Sequence, residues 1–232
     1  MSIPLRSRVP VVVVLLAFGC ATKPPPVAAT PDPQADAHVA EAAAGAVIAL
    51  FDGHSLSGWH VVGGGATFRV DDGCIVGTAG PGPNTFLCTS GEWSDFELTL
   101  DVRLDVPGNS GIQFRSHVRP DGVVYGYQCE IDPSARSWSG GIYDESRRGW
   151  LASLEGEAHA AARAAFRVDD WNRYRIRAVG DRLRTWVNDV PCADLIDDAD
   201  ASGLIALQVH TGGTGVIRWR DVRIAPIRPD AP

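Results

Sequence analysis

The sequence predicts an all-β domain, a two-sheet antiparallel sandwich or jelly roll, and three observations carry that expectation. Short segments of apolar–polar alternation recur from about Ile48 to Ile227, each long enough for one strand. Asp-Gly, Asn-Asp and glycine-rich turns separate them. Only one stretch, Leu154 to Phe166, is alanine-rich enough to suggest a helix, and it is short. Half-apolar strands with little helix to cover them must close their apolar faces on one another, which gives two stacked sheets. No internal repeat points to a propeller or solenoid.

Residues 1–19 precede that domain as a signal peptide. Arg6 and Arg8 make a basic start, Val9 to Phe18 is an apolar run too short to span a bilayer, and Gly19-Cys20 closes it. The pattern resembles a bacterial lipoprotein signal with Cys20 as the acylated first residue of the mature chain. It predicts an exported protein held on a membrane of the cell envelope through lipid on Cys20. An ordinary cleaved signal or a tail anchor is the alternative. Residues 20–47 contain Lys23-Pro24-Pro25-Pro26 and Pro31-Asp32-Pro33 and almost no large apolar side chain, the composition of an extended tether. The folded domain is expected over residues 48–227, with residues 228–232 as a tail.

The chain has a net charge of −7, which becomes −9 once Arg6 and Arg8 leave with the signal. An acidic domain without a basic stripe does not suit a phosphate backbone, so no nucleic-acid partner is expected. Cys74, Cys88, Cys129 and Cys192 are widely spaced with no C-x-x-C, which argues against a zinc knuckle. Export would permit disulfides. Cys74 with Cys88 is the favoured pair, because their predicted strands are neighbours, and free thiols are the alternative.

In chain order, Ala66 to Val70 and Cys74 to Gly77 flank Asp71-Asp72-Gly73 as a hairpin. Thr85 to Thr89 is a short strand. Phe96 to Leu104 alternates throughout and is the cleanest half-buried strand of the chain. Pro107-Gly108-Asn109-Ser110-Gly111 turns into Ile112 to Ser116, and Val124 to Ile131 follows. Tyr174 to Val179, Leu183 to Val187, Gly203 to His210 and Val216 to Ala225 complete the set, with a hairpin turn at Asn188-Asp189.

The segment Tyr127-Gln128-Cys129-Glu130-Ile131-Asp132 is the centre of the candidate site. Side chains two apart on a strand project in parallel about 6.5 Å from each other. Gln128, Glu130 and Asp132 therefore share one face, and Tyr127, Cys129 and Ile131 the other. Two carboxylates in such a row repel each other unless a cation, a proton or a hydroxylated ligand sits against them. The same phase rule sets Gln113 and Arg115, Gln208 and His210, and Arg184, Trp186 and Asn188 on the polar faces of their strands. Planar amides, carboxylates, guanidinium forks and an indole are the groups that hold sugars. One such strand would be the wet face of a sheet. Four of them in phase favour a site. Trp138, Trp150 and Trp186 are the candidates to stack on a sugar ring, whereas Trp59, Trp93, Trp171 and Trp219 read as packing.

Longer motifs add a resemblance. Leu50-Phe51-Asp52-Gly53 opens the domain and Gly58-Trp59 follows. Asn109-Ser110-Gly111-Ile112-Gln113-Phe114-Arg115, Tyr125-Gly126-Tyr127-Gln128-Cys129-Glu130-Ile131-Asp132 and Gly140-Gly141-Ile142-Tyr143-Asp144-Glu145 come next. Ile205-Ala206-Leu207-Gln208-Val209-His210 and Arg218-Trp219-Arg220-Asp221-Val222 close it. In order and spacing the chain resembles the 3-keto-disaccharide hydrolase family from about Leu50 to Ile227. That resemblance implies a concanavalin A-like jelly roll of the lectin and glucanase type. It also implies a hydrolase or lyase acting on glycosides oxidised at C3, by C2 deprotonation, elimination at C1 and hydration. Glu130, Asp132 and His210 become candidate bases or ligands of a divalent metal, with no organic cofactor. Arg115 becomes a candidate oxyanion contact. Gln113, Gln128, Asn109, Gln208, Trp138 and Trp186 become candidate saccharide contacts, with Tyr143, Asp144, Glu145 and Arg147 on a loop over the site.

Two other functions fit parts of the pattern. Glu130-Ile131-Asp132 resembles the start of the acidic strand of jelly-roll retaining glucanases, which need two carboxyl groups about 5–5.5 Å apart. Pro133-Ser134-Ala135 stands where the next carboxylate of that strand belongs. A non-catalytic, lectin-like surface lipoprotein would use the same aromatic and amide groups without needing the acidic cluster.

Overall fold

The computed structural model describes residues 46–228. The expected signal peptide, Cys20 and nearly all of the expected tether lie outside them. Among the described residues no helix is long and apolar enough to cross a membrane.

Two antiparallel sheets stack face to face. One runs from edge to edge through β13 (Val190–Ile196), β12 (Arg182–Val187), β11 (Asn172–Val179), β6 (Phe96–Val106), β15 (Val216–Pro226), β4 (Cys74–Thr78) and β3 (Thr67–Asp71), with β1 (Ile48–Ala49) paired to β15. The other runs through β10 (Gly149–Ala152), β9 (Ile142–Glu145), β8 (Val124–Ile131), β7 (Ser110–Val118), β14 (Gly203–Val209), β5 (Thr85–Trp93) and β2 (Trp59–Gly63). Strands far apart in sequence are neighbours in space: β6 pairs with both β11 and β15, and β14 joins β7 to β5. This is the expected jelly-roll sandwich.

Alternation sets the layers. Phe96, Leu98, Leu100, Val102 and Leu104 of β6 point into the core, and Tyr174, Ile176 and Ala178 of β11 join them. From the facing sheet come Tyr127, Cys129 and Ile131 of β8 and Ile205, Leu207 and Val209 of β14. Fully burying a Leu, Ile or Phe side chain contributes about 1.5–3 kcal/mol, so a one-residue slip of any of these strands would forfeit several such terms. The hairpin turns carry positive φ at both central residues, at Asp72 (50°) and Gly73 (68°) and again at Asn188 (50°) and Asp189 (65°). That is the backbone twist that two-residue hairpins demand.

Three local expectations are corrected. The alanine-rich stretch yields only a 3₁₀ turn at Glu157–His159 and one helical turn, α1 (Ala160–Arg163). Ala162 alone is buried there, so no apolar stripe anchors a longer helix. The segment expected as a loop over the site is instead the β9–β10 hairpin, turned at Ser146 (φ 54°) and Gly149 (φ 77°). All four described cysteines are free thiols. Cys74 and Cys88 lie in different sheets, and Cys88 points to the outer face of its own, so the favoured pair does not form.

Candidate active site

A cleft of about 520 Å³ opens on the outer face of the sheet that holds β8, within the range of small-ligand pockets. Gln128, Glu130 and Asp132 at the end of β8, Tyr143 and Glu145 of β9, and His210 after β14 all line it. The strand phases read from the sequence account for Gln128, Glu130, Asp132 and His210, while Tyr143 and Glu145 join them because the expected loop is strand β9, paired beside β8, with β7 alone between β8 and β14.

Glu130 is 4% exposed. Its Oε1 accepts a hydrogen bond from Asn109 Nδ2 at 2.6 Å, and its Oε2 accepts one from Gln128 Nε2 at 3.0 Å. The Gln128 amide is oriented in turn. Gln113 Nε2 donates to Gln128 Oε1 at 2.8 Å, and Ser116 Oγ donates to Gln113 Oε1 at 2.8 Å. Each amide in the chain accepts with oxygen and donates with nitrogen, which fixes its orientation. Gly111 makes room for the chain, since a Cβ there would fall 2.3 Å from Gln128 Cδ. Burial pushes the Glu130 carboxyl above its ordinary range. The Asn109 and Gln128 bonds pull against that rise, and the Asp132 charge adds to it.

Asp132 is held differently. Burial would raise its carboxyl, but Ser134, Arg136 and the Trp138 N–H outweigh burial and bring it below the ordinary range. Arg136 Nε donates to Asp132 Oδ2 at 2.8 Å, and the Ser134 N–H to Oδ1 at 3.0 Å. Asp132 is thus a fixed anion that clamps the loop after β8. The clamped loop presents Arg136 to the cleft, with Nη2 3.8 Å from Glu130 Oε1. The guanidinium lies 4.8 Å from the Trp138 ring centroid and 5.0 Å from that of Trp150. Trp150 meets Trp138 and Tyr143 edge-on at 4.8 and 5.2 Å. Trp150 and Tyr143 line the cleft, while Trp138 supports them from outside its lining.

Across the cleft, burial pushes the Glu145 carboxyl up, and the bond from Asn84 opposes the rise. Asn84 Nδ2 donates to Glu145 Oε1 at 3.1 Å, and its Oδ1 accepts the Thr211 N–H at 2.9 Å. His210 Nδ1 lies 2.7 Å from the Thr211 carbonyl oxygen. With Nδ1 donating there, Nε2 remains the acceptor. Among the described residues no three His, Cys, Asp or Glu side chains converge to hold a metal ion. Glu130, Asp132 and His210, expected as metal ligands, therefore do not come together as a three-ligand group.

Several expected contacts lie elsewhere. Arg115 adopts φ 46° at a bulge where the β7–β8 register breaks. Its guanidinium turns away to Asp95 Oδ1 (2.8 Å) and to the carbonyls of Ser94 and Gly180 (both 2.7 Å). Asp144 alternates away from the cleft and binds Arg147 and Arg148. Arg147 also binds Asp200, so this pair belongs to an ion cluster rather than to the cleft. Trp186 lies on β12, in the opposite sheet, under the Arg175 guanidinium at 3.8 Å. Gln113 is fully buried behind Gln128. Gln208 is fully buried on the cleft-bearing sheet. Neither its amide nitrogen nor its amide oxygen has a hydrogen-bond partner among the described residues.

Asn84, Ser134 and Arg136 line the cleft without having been expected. They sit on irregular loops, where alternation carries no signal.

Comparison with known proteins shows the fold and the family. A candidate glycosyl hydrolase from Parabacteroides distasonis superposes with a TM-score of 0.59 at 16% identity, over 78% of this chain and 94% of that one. The carbohydrate-binding module CBM66 from Bacillus subtilis gives 0.54 at 19% identity, over 72% and 95%. A B. subtilis protein of unknown function with a galectin-like fold gives 0.57 at 13% identity, over 75% and 92%. At these identities the likeness establishes the fold. Among curated proteins no sequence matches. The family description 3-keto-alpha-glucoside-1,2-lyase-like domain matches residues 46–225, nearly all of the sandwich, and the chain belongs to that carbohydrate-active family.

Proposed function

We propose that the cleft cleaves glycosides bearing a ketone at C3, by removing the C2 proton, eliminating the C1 substituent and adding water. The observation that carries this reading is Glu130, a buried carboxylate with a raised pKa, held by the Asn109 and Gln128 amides beside the Arg136 guanidinium. A C3 ketone acidifies the C2 proton. Glu130 takes that proton, and the burial that raises its pKa makes it a stronger base than an exposed carboxylate. The electron pair moves onto the C3 oxygen, where Arg136 supplies the opposing charge. Collapse of the enolate forms the C1–C2 double bond and expels the C1 oxygen. Glu145, kept protonated to higher pH by burial, donates the proton that oxygen needs. Tyr143 and Trp150 offer flat surfaces for the sugar ring.

A lectin-like reading uses the same aromatic wall but leaves the buried, oriented Glu130 without a role. A retaining glycosidase would need a second free carboxylate beside Glu130, and Asp132 is fully engaged by its own loop. Incubating the purified domain with 3-keto-glucosides and following aglycone release tests the reading. Release only from unoxidised glycosides, or from none, would overturn it.

Two further results are expected. Glu145→Gln should slow substrates with alkyl leaving groups far more than those with activated aryl groups, which depart without a proton. A plot of log kcat/KM against leaving-group pKa should steepen in the variant, and parallel lines would remove Glu145 from the role. Asn109→Ala deletes a bond that favours the charged form of Glu130, so the Glu130 pKa should rise further. The acidic limb of the pH–kcat/KM profile should move to higher pH. A limb that stays in place would mean that another group titrates there.

A further inference from the structure

The cleft has an apolar annex. A second cavity of about 370 Å³ adjoins it, and Asn84 and Glu145 line both. Phe86, Val124 and Pro83 supply the annex's apolar wall. Phe86 and Val124 belong to a small apolar cluster with Cys88, Leu204 and Ala206, separate from the main core. The cluster occupies the outer face of the sheet, where a sandwich usually presents polar groups to water.

Strand register connects the two cavities. Glu130 pairs with Gly111, Gly111 with Gln208, Gln208 with Phe86, and Phe86 with Val62. One cross-strand row thus runs from Glu130 to the apolar cluster. Three strand spacings separate Glu130 from Phe86, roughly 14 Å. That is enough for a sugar ring and a substituent of similar size. The fully buried Gln208 amide lies midway along the row. The polar groups at the annex are already engaged with one another. Asn84 is bound to Glu145 and the Thr211 N–H, Thr211 Oγ1 to the Gly82 carbonyl, and Ser146 Oγ to Glu145.

We infer that the annex holds the leaving group, and that the group it fits is an apolar aryl or alkyl aglycone rather than a second sugar. This rests on the proposed elimination, which places the C1 oxygen at Glu145, the wall that the two cavities share. From that oxygen a substituent continues past Asn84 towards Phe86 and Val124. A second sugar would bring several hydroxyl groups against the apolar Phe86, Val124 and Pro83 side chains, beside polar side chains already bonded to one another, and burying hydroxyls unpaired is unfavourable. An apolar ring displaces water from the same wall and gains from it.

The test compares benzyl and methyl 3-keto-glucosides, whose leaving oxygens are both alkoxides, with a 3-keto-disaccharide. Wild type should show kcat/KM at least about tenfold higher for benzyl than for methyl, with the disaccharide no better than methyl. Val124→Asp should bring the benzyl-to-methyl ratio towards one. Val124→Thr, nearly the same size, should lower the ratio in the same direction if the aspartate variant does not fold. A wild-type ratio near one, or preference for the disaccharide, would overturn the inference while leaving the elimination standing. If no 3-keto-glucoside turns over, the elimination reading fails, and calorimetry decides the annex separately. Benzyl glucoside binding at least about tenfold tighter than methyl glucoside supports it, and equal affinity overturns it.

Discussion

Glu130→Gln is expected to lower kcat on a 3-keto-glucoside by at least about a hundredfold while leaving the sandwich folded. The substitution keeps the size of the side chain and removes the proton acceptor. The new amide meets two donors, Asn109 Nδ2 and Gln128 Nε2, so one of those bonds is lost or an amide must turn. That mismatch costs about 1 kcal/mol, and removing a buried charge offsets it at neutral pH. Folding therefore survives. Linkage gives a second readout. Because the folded-state pKa of Glu130 is raised, folding favours its protonated form, and this contribution is present at pH values below the ordinary glutamate value of about 4.3. It is lost as pH rises from that value through the raised one. Denaturation measured across that window should show the loss in wild type and not in the variant. A substrate deuterated at C2 should exchange its label with solvent in wild type and keep it with Glu130→Gln. A variant that still exchanges the label would mean that another group is the base.

Arg115→Met is expected to destabilise the domain by about 3–5 kcal/mol, the cost of removing one member of a buried ion pair. Arg115 is 1% exposed and joins four separate segments. It leaves β7 at the bulge and binds the Ser94 carbonyl and the Asp95 carboxylate ahead of β6. It also binds the Gly180 carbonyl in the β11–β12 turn and the Asp200 carbonyl ahead of β14. Methionine fills the space but leaves Asp95 with only the Gly180 N–H as partner and the carbonyls with none. Urea denaturation should show the loss as a lower midpoint with an unchanged slope. Under conditions where the variant remains folded, its kcat and KM should match wild type, because Arg115 does not line the cleft. A variant of normal stability and no activity would restore the catalytic role that strand alternation suggested.

These two residues mark how far the sequence can be read. Alternation alone identified Glu130 and Gln128 as a pair on the face opposite Tyr127, Cys129 and Ile131, and it put Gln208 and His210 opposite Ile205, Leu207 and Val209. The Asp-Gly and Asn-Asp turns marked two hairpins. Such signals are local: a strand has two sides, and one apolar core decides which side turns inward. The order of the motifs identified the family.

Only the tertiary structure decided the rest. Trp186 has the phase that was read for it, but β12 joins the other sheet and the residue faces the far side of the molecule. Alternation names a side of a strand and is silent about the sheet to which the strand belongs. Arg115 loses its expected direction because a single left-handed residue shifts the register of everything around it. The short β9–β10 hairpin divides Asp144 from Glu145, sending one to an ion cluster and the other to the cleft. Asn84, Ser134 and Arg136 enter from loops whose paths are set by the strands they connect. Contacts between residues far apart in the chain have no periodic trace in it, so the members of the cleft that depend on them emerge only when the sheets have assembled.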